Sequence, residues 1–149
     1  MVYRSFLDNN VFVFGEHVPE SNSRLILDNA RDSNIEVVIS RPLIEEVRTT
    51  FSSLHGRGAG INEAHFIASL PYRVEITDEE IKARINEFRN LSVKEFDLLH
   101  FIAAKIANSD YFVTTDEDFF NADVAKEIKP IKPKDFVRIL GIKPYETDY

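Results

Sequence analysis

Apolar residues along the chain follow two alternating rhythms. Short runs of β-branched or aromatic residues stop at polar turn residues, and longer stretches place apolar positions three and four residues apart. The first run, Val2 to Leu7, stops at Asp8-Asn9-Asn10 and predicts a strand with Asp8 at its C-terminal end. Glu20 to Arg31 reads as a helix on Leu25, Ile26, Leu27 and Ala30, with Ser21 or Ser23 as cap. Ile35 to Ile39 is nearly continuous and β-branched, the pattern of a strand covered on both faces. Ser40 then suits an N-cap and Pro42 a first turn, opening a helix whose stripe is Leu43, Ile44, Val47, Phe51 and Leu54.

Further on, His55 to Gly60 reads as a flexible loop, Asn62 to Leu70 as a short helix and Tyr72 to Ile76 as a strand. Thr77 with Glu80 forms a capping box opening a helix to Phe88, and Ser92 with Glu95 repeats it for a helix to Ala107. Tyr111 to Thr114 predicts a strand, Ala122 to Ile128 a short helix, Lys129 to Pro133 an edge strand and Asp135 to Leu140 a last helix. The tail Tyr145 to Tyr149 reads as loose. Strands alternate with helices, which predicts an α/β fold with a mainly parallel sheet. No repeat or linker divides the chain, so residues 1–149 read as a single domain.

The absence of cysteine removes disulfides, thiolate zinc sites and cysteine nucleophiles, and fits a reducing cytoplasm. No apolar run approaches the roughly 20 residues of a membrane span, and MVYRSFLDNN lacks the build of a signal peptide, so a cytoplasmic protein without membrane contact is expected. The net charge of −7 argues against a wholly basic nucleic-acid surface. Its distribution is uneven: between Val47 and Val74 the only acid is Glu63, against Arg48, Arg57 and Arg73. Lys126 to Lys143 is a second basic stretch.

Sites in open α/β sheets lie beyond the carboxyl ends of the strands, which is where Asp8 and Asp116 fall. Each alone also suits a helix cap. Glu46 stands on the flank of an apolar stripe, and Asp97 is the one acid in the run Phe96 to Ala104. Carboxylates at such borders are costly unless paired or metal-bound. A hard divalent cation, Mg²⁺ or Mn²⁺, relieves both repulsion and desolvation and suits a phosphate substrate.

Phe6-Leu7-Asp8-Asn9-Asn10-Val11 resembles the opening motif of PIN domains, with Asn9 in place of the usual Thr. Ser40 through Glu46, Asp97 through Ala104, Asp110 through Phe119 and Ile131 through Phe136 resemble its later blocks, in order and at the expected spacing. Only Ser53 to Glu87 falls outside the resemblance. The resemblance implies a three-layer α/β/α sandwich with a central parallel sheet and a Mg²⁺- or Mn²⁺-dependent nuclease. Such proteins are usually endoribonucleases and often VapC-type toxins paired with an antitoxin. By motif position the metal ligands are Asp8, Glu46, Asp97 and Asp116, with Asp118 as a further acid. Asn10 supports Asp8, and Thr114 or Thr115 holds the acids or the phosphate. Water activated at the metal is expected to cut a phosphodiester in line, leaving a 5′-phosphate and a 3′-hydroxyl.

RNA is expected to cross the region of Arg48, Arg57 and Arg73, whose contacts to phosphates give affinity without sequence choice. Phe12, Val13, Phe14, Phe66, Ile67, Leu70 and Tyr72 suggest more apolar surface than one sandwich needs, and hence a homodimer besides an antitoxin partner. The alternative of another class is a non-catalytic PIN-like module that binds RNA or protein; four intact acids argue against it. A phospho-receiver domain, suggested by Lys132-Pro133, lacks its paired acids after the first strand and an acceptor Asp after the next ones. The glycines at 56, 58 and 60 follow no strand and lack the phosphate-binding Lys, no G-x-S-x-G occurs, and the four histidines show no metal-ligand spacing. They read as surface or loop residues, with His100 one turn from Asp97.

Overall fold

A computed structural model describes residues 1–149. Strand β1 (Tyr3–Leu7) is followed by helices α1 (Asn9–His17) and α2 (Asn22–Arg31), then strand β2 (Ile35–Ser40). Helices α3 (Arg41–His55) and α4 (Arg57–Ala68) lead to β3 (Arg73–Ile76). Helices α5 (Asp78–Arg84) and α6 (Glu95–Ile106), with a 3-10 turn at Ile85–Phe88 between them, precede β4 (Tyr111–Val113). A 3-10 turn at Glu117–Phe120, α7 (Ala122–Ala125), β5 (Pro130–Ile131) and α8 (Pro133–Ile139) complete the chain.

All strand pairings are parallel, and the sheet order is β3-β2-β1-β4-β5. The chain therefore builds outward from β1 through β2 to β3, then crosses back to lay β4 on the other side of β1. Right-handed crossovers put the connections of these two halves on opposite faces, which gives the three layers. Phe6, Leu7, Val37, Val38 and Phe112 are fully buried, as strands covered on both faces require. The sheet is parallel throughout, and the α/β/α expectation holds.

The structure departs from the sequence reading at several elements. Asp8-Asn9-Asn10 is not merely a turn: Asp8 accepts from the Asn9 backbone N–H and starts α1, whose Val11 and Phe12 are fully buried. The Gly-rich stretch is not a flexible loop, because α4 begins at Arg57. Its Gly60 lies where a Cβ would come 2.5 Å from the Arg48 carbonyl oxygen, so the α3–α4 hairpin closes only over glycine. The second capping box does not form: Lys94 is the cap residue of α6, and the Ser92 N–H donates instead to Asp123. The tail is anchored. Buried Asn22 donates to the carbonyls of Tyr145 and Thr147 and accepts from the Tyr145 N–H, and Tyr149 stacks on Phe14.

The apolar set behind the dimer expectation is largely internal. Phe12, Ile67 and Leu70 belong to the core, Val13 and Phe66 are half-buried against it, Phe14 is half-buried under Tyr149, and only Tyr72 is exposed. The helical period of α1, which the sequence reading did not predict, and of α4, which begins five residues earlier than predicted, turns most of those residues inward. His17 and His55 do lie at the surface, their Nε2 atoms 2.5 Å apart, but His100 is fully buried.

Glu63 of α4 is almost wholly buried beside Glu16, and Arg31, paired to Glu16 at 2.9 Å, covers the Phe66 ring. Burial and the hydrogen bond with Glu16 push the Glu63 carboxyl up to about 8. Between the ordinary carboxyl range and pH 8 the folded chain holds a proton that the unfolded chain releases. This contribution to stability is therefore full at acidic pH and is lost as pH rises through 8. Urea unfolding should show Glu63→Gln about 1–2 kcal/mol more stable than wild type at pH 9, with the gap closing at pH 5. Equal pH profiles would contradict it.

Candidate metal centre

The reversal of strand order around β1 leaves a crevice at the carboxyl ends of β1 and β4, where Leu7 pairs with Val113. Asp8 and Thr114, the next residues, stand side by side there. The Thr114 hydroxyl donates to Asp8 Oδ2 at 2.7 Å, and its oxygen accepts from the Asp116 backbone N–H at 3.0 Å. One fully buried threonine thus fixes two acids. Asp8 Oδ1 accepts from the Asn9 N–H at 2.8 Å, and Asp116 accepts from the Asp118 N–H at 2.9 Å. Both acids are indeed helix caps, and both also face the crevice.

Glu46 comes from the second turn of α3 and Asp97 from the first turn of α6. Carboxylate oxygens of Asp8 and Glu46 and a ring nitrogen of His100 lie within 4.8 Å of one another. Those of Asp97, Asp116 and Asp118 form a second such group. The two groups are neighbours, since Thr114 bonds both Asp8 of the first and Asp116 of the second. Burial raises the Asp8 carboxyl above its usual range, against the opposing pull of the Thr114 hydrogen bond. Burial, then the charges of Asp8 and Asp116, push Asp97 up to about 6. Acids held this close without a countercharge resist ionisation, and a divalent cation on all-oxygen ligands relieves that strain. The carboxylate donors thus suit a hard divalent cation better than a soft one.

The flanking residues differ from expectation in detail. Asn10 does not support Asp8; its side-chain amide donates to Thr115 Oγ1 at 3.2 Å. The Asn9 side chain donates to Thr50 Oγ1, tying α1 to α3 behind Glu46. The three arginines do not gather at the acids. Arg48 pairs with Glu45, and Arg73 opens β3 at the end away from the crevice, bound to Glu75 and the Leu70 carbonyl. Arg57 starts α4, eleven residues past Glu46 and roughly 16 Å away along α3. A cation near the site is Lys132, whose Nζ donates to the Thr115 carbonyl at 3.2 Å, pairs with Glu117 and covers the Phe120 ring. Its place in a basic stretch was legible, but its proximity depends on β5 pairing with β4.

Comparison with known protein families matches the PIN domain over residues 5–125. The chain belongs to the PIN domain family. Solved structures with the same fold include VapBC2 from Rickettsia felis, bound to a promoter DNA fragment, with a TM-score of 0.65 at 16% identity over 86% of this chain and 97% of that one. VapBC-1 from nontypeable Haemophilus influenzae gives 0.63 at 12% identity over 88% and 98%. VapC20 of Mycobacterium tuberculosis, a toxin that cleaves the sarcin-ricin loop, gives 0.59 at 16% identity over 79% and 94%. A search of curated proteins finds no match. No helix of this PIN chain is long and apolar enough to cross a membrane.

Thr114→Val keeps the side-chain shape but strips Asp8 Oδ2 and the Asp116 N–H of their shared partner. Calorimetric titration with Mn²⁺ should show affinity reduced about 10–100-fold. Unchanged Mn²⁺ binding would remove Thr114 from this role.

Proposed function

We propose that this PIN chain is a Mg²⁺- or Mn²⁺-dependent endoribonuclease and the toxin of a toxin–antitoxin pair. The observation that carries the proposal is the convergence of Asp8, Glu46, Asp97 and Asp116, from four separate elements, on one sheet edge. Asp8, Glu46, Asp97 and Asp116 would hold the cation, with Asp118 beside them. When bound, a divalent ion supplies Lewis-acid stabilisation of charge on phosphorus and a water of lowered pKa. The chain's own part is positional. Thr114 and the Asn9 N–H keep Asp8 fixed, which spares reorganisation as charge develops. Thr115 and Asn10, whose side chains bond to each other beside the acids, would offer a hydroxyl and an amide to a phosphate. Lys132, which is paired with Glu117 and bonded to the Thr115 carbonyl, would bring positive charge close to the acids.

Arg57 and Arg73 serve in this reading as distant phosphate contacts along a longer RNA, and Arg48, two residues past Glu46 on α3, as a nearer one. The antitoxin finds support in the solved neighbours, several of which are toxin–antitoxin complexes. A homodimer is retained in the proposal on Leu54 and Ile61, both exposed near the tip of the α3–α4 hairpin. An RNA target and a cysteine-free chain agree with a cytoplasmic setting.

Purified protein should cut RNA with Mn²⁺, leaving 5′-phosphate ends, and stop on addition of EDTA. Asp116→Asn should lower cleavage about 100-fold or more while leaving the unfolding transition in place. Expressed alone, wild type should arrest growth and the variant should not. Cleavage unaffected by EDTA would sink the metal mechanism. A folded protein that binds Mn²⁺ but cuts no RNA would favour a binding module.

A further inference from the structure

His100 is the one titratable group at the metal centre to which the reading above gives no task. It follows Asp97 by three residues on α6, so both lie on the helix face turned toward the crevice. The imidazole is fully buried. Phe6 packs on it at 5.3 Å between ring centroids, and Phe96 meets it edge-on at 5.7 Å, so the ring is clamped between two aromatic residues. In that orientation Nε2 lies 3.3 Å from Glu46 Oε2, while Nδ1 is buried without any partner.

These facts select the tautomer. A neutral imidazole carries one N–H. A proton on Nδ1 would bury a donor with no acceptor and would set the Nε2 lone pair against carboxylate lone pairs. A proton on Nε2 pairs the donor with Glu46 and leaves only an unfilled acceptor at Nδ1, the less costly orphan. In this tautomer Nε2 has no lone pair to offer a metal.

We propose that His100 is a positioning residue: its Nε2–H holds one oxygen of Glu46 and turns the other toward the cation. Glu46 needs such a hold more than the other acids. Its carboxylate sits on a longer side chain than an aspartate's, and it is only half-buried. No hydroxyl or backbone N–H reaches its carboxylate; the Thr50 hydroxyl donates to its backbone carbonyl instead. His100 thereby couples α6 to α3, and the clamped ring ties a half-exposed acid to the core.

The inference rests on the cation site proposed above, and the test keeps the two apart. The full chain is titrated with Mn²⁺ alone. Free aqueous Mn²⁺ is followed by electron paramagnetic resonance, and bound Mn²⁺ by electron spin-echo envelope modulation. Wild type should bind Mn²⁺ with no imidazole nitrogen coupled to the ion. His100→Gln, whose amide N–H reaches a similar point, should keep affinity within about threefold. His100→Leu should lose about 10–100-fold. Nitrogen coupling from an imidazole in wild type would overturn the proposal, because it would make His100 a ligand. So would wild-type affinity in His100→Leu, or a Gln variant as weak as Leu. If His100→Leu fails to fold by circular dichroism, the wild-type spectrum and the Gln variant still decide. Wild type that binds no Mn²⁺ would overturn the cation site itself and the positioning role with it.

Discussion

The hydrogen bond from Thr114 to Asp8 is the contact on which the site depends. A carboxylate at the end of a central strand is deeply desolvated, and burial alone would drive it toward its neutral form. The hydroxyl and the Asn9 N–H offset part of that cost and fix the oxygen positions. The same hydroxyl oxygen receives the Asp116 N–H, so the two strand ends set each other's geometry. Glu46 and Asp97 are then brought in from helices on either side. The result is a cluster in which Asp8, Glu46 and Asp116 disfavour charge on Asp97, a penalty that a bound cation would relieve.

Topology puts the cluster where it is. β1 has β2 on one side and β4 on the other, and the connections of the two halves leave from opposite faces. The acids meet where the strand order reverses, so their placement is a product of chain order rather than of any one residue. Stability and function are therefore partly opposed here. Phe6, Phe112 and Phe119 pack beneath the site as a well-ordered floor, with Phe112 stacked on Phe6 at 4.8 Å. At the site itself, Asp8 and Asp97 bear the electrostatic cost of burial and of neighbouring charge.

Much of this was legible in the sequence because the signals are local. Strands β1, β2 and β4 announce themselves as β-branched or aromatic runs, and the Thr77 capping box forms as written. The acids at strand ends were visible as single residues, and their convergence followed from the parallel α/β pattern. What stayed hidden was non-local. α1 was obscured because Asp8-Asn9-Asn10 is both a turn signal and a helix start. The glycines of α4 suggest looseness, yet Gly60 is there for close packing against the Arg48 carbonyl. The tail looked loose because its anchor, Asn22, is more than a hundred residues away. Arg73 matched the charge expected of a phosphate contact, but strand register sets it at the wrong end of β3.

The central claim is that four carboxylates form one divalent cation site. Crystals soaked in Mn²⁺ and measured at the manganese absorption edge test it most directly. The account predicts an anomalous peak at about 2–2.6 Å from oxygens of Asp8 and of at least two among Glu46, Asp97 and Asp116. A peak only at unrelated surface acids, or none at this edge in a well-occupied soak, would contradict it.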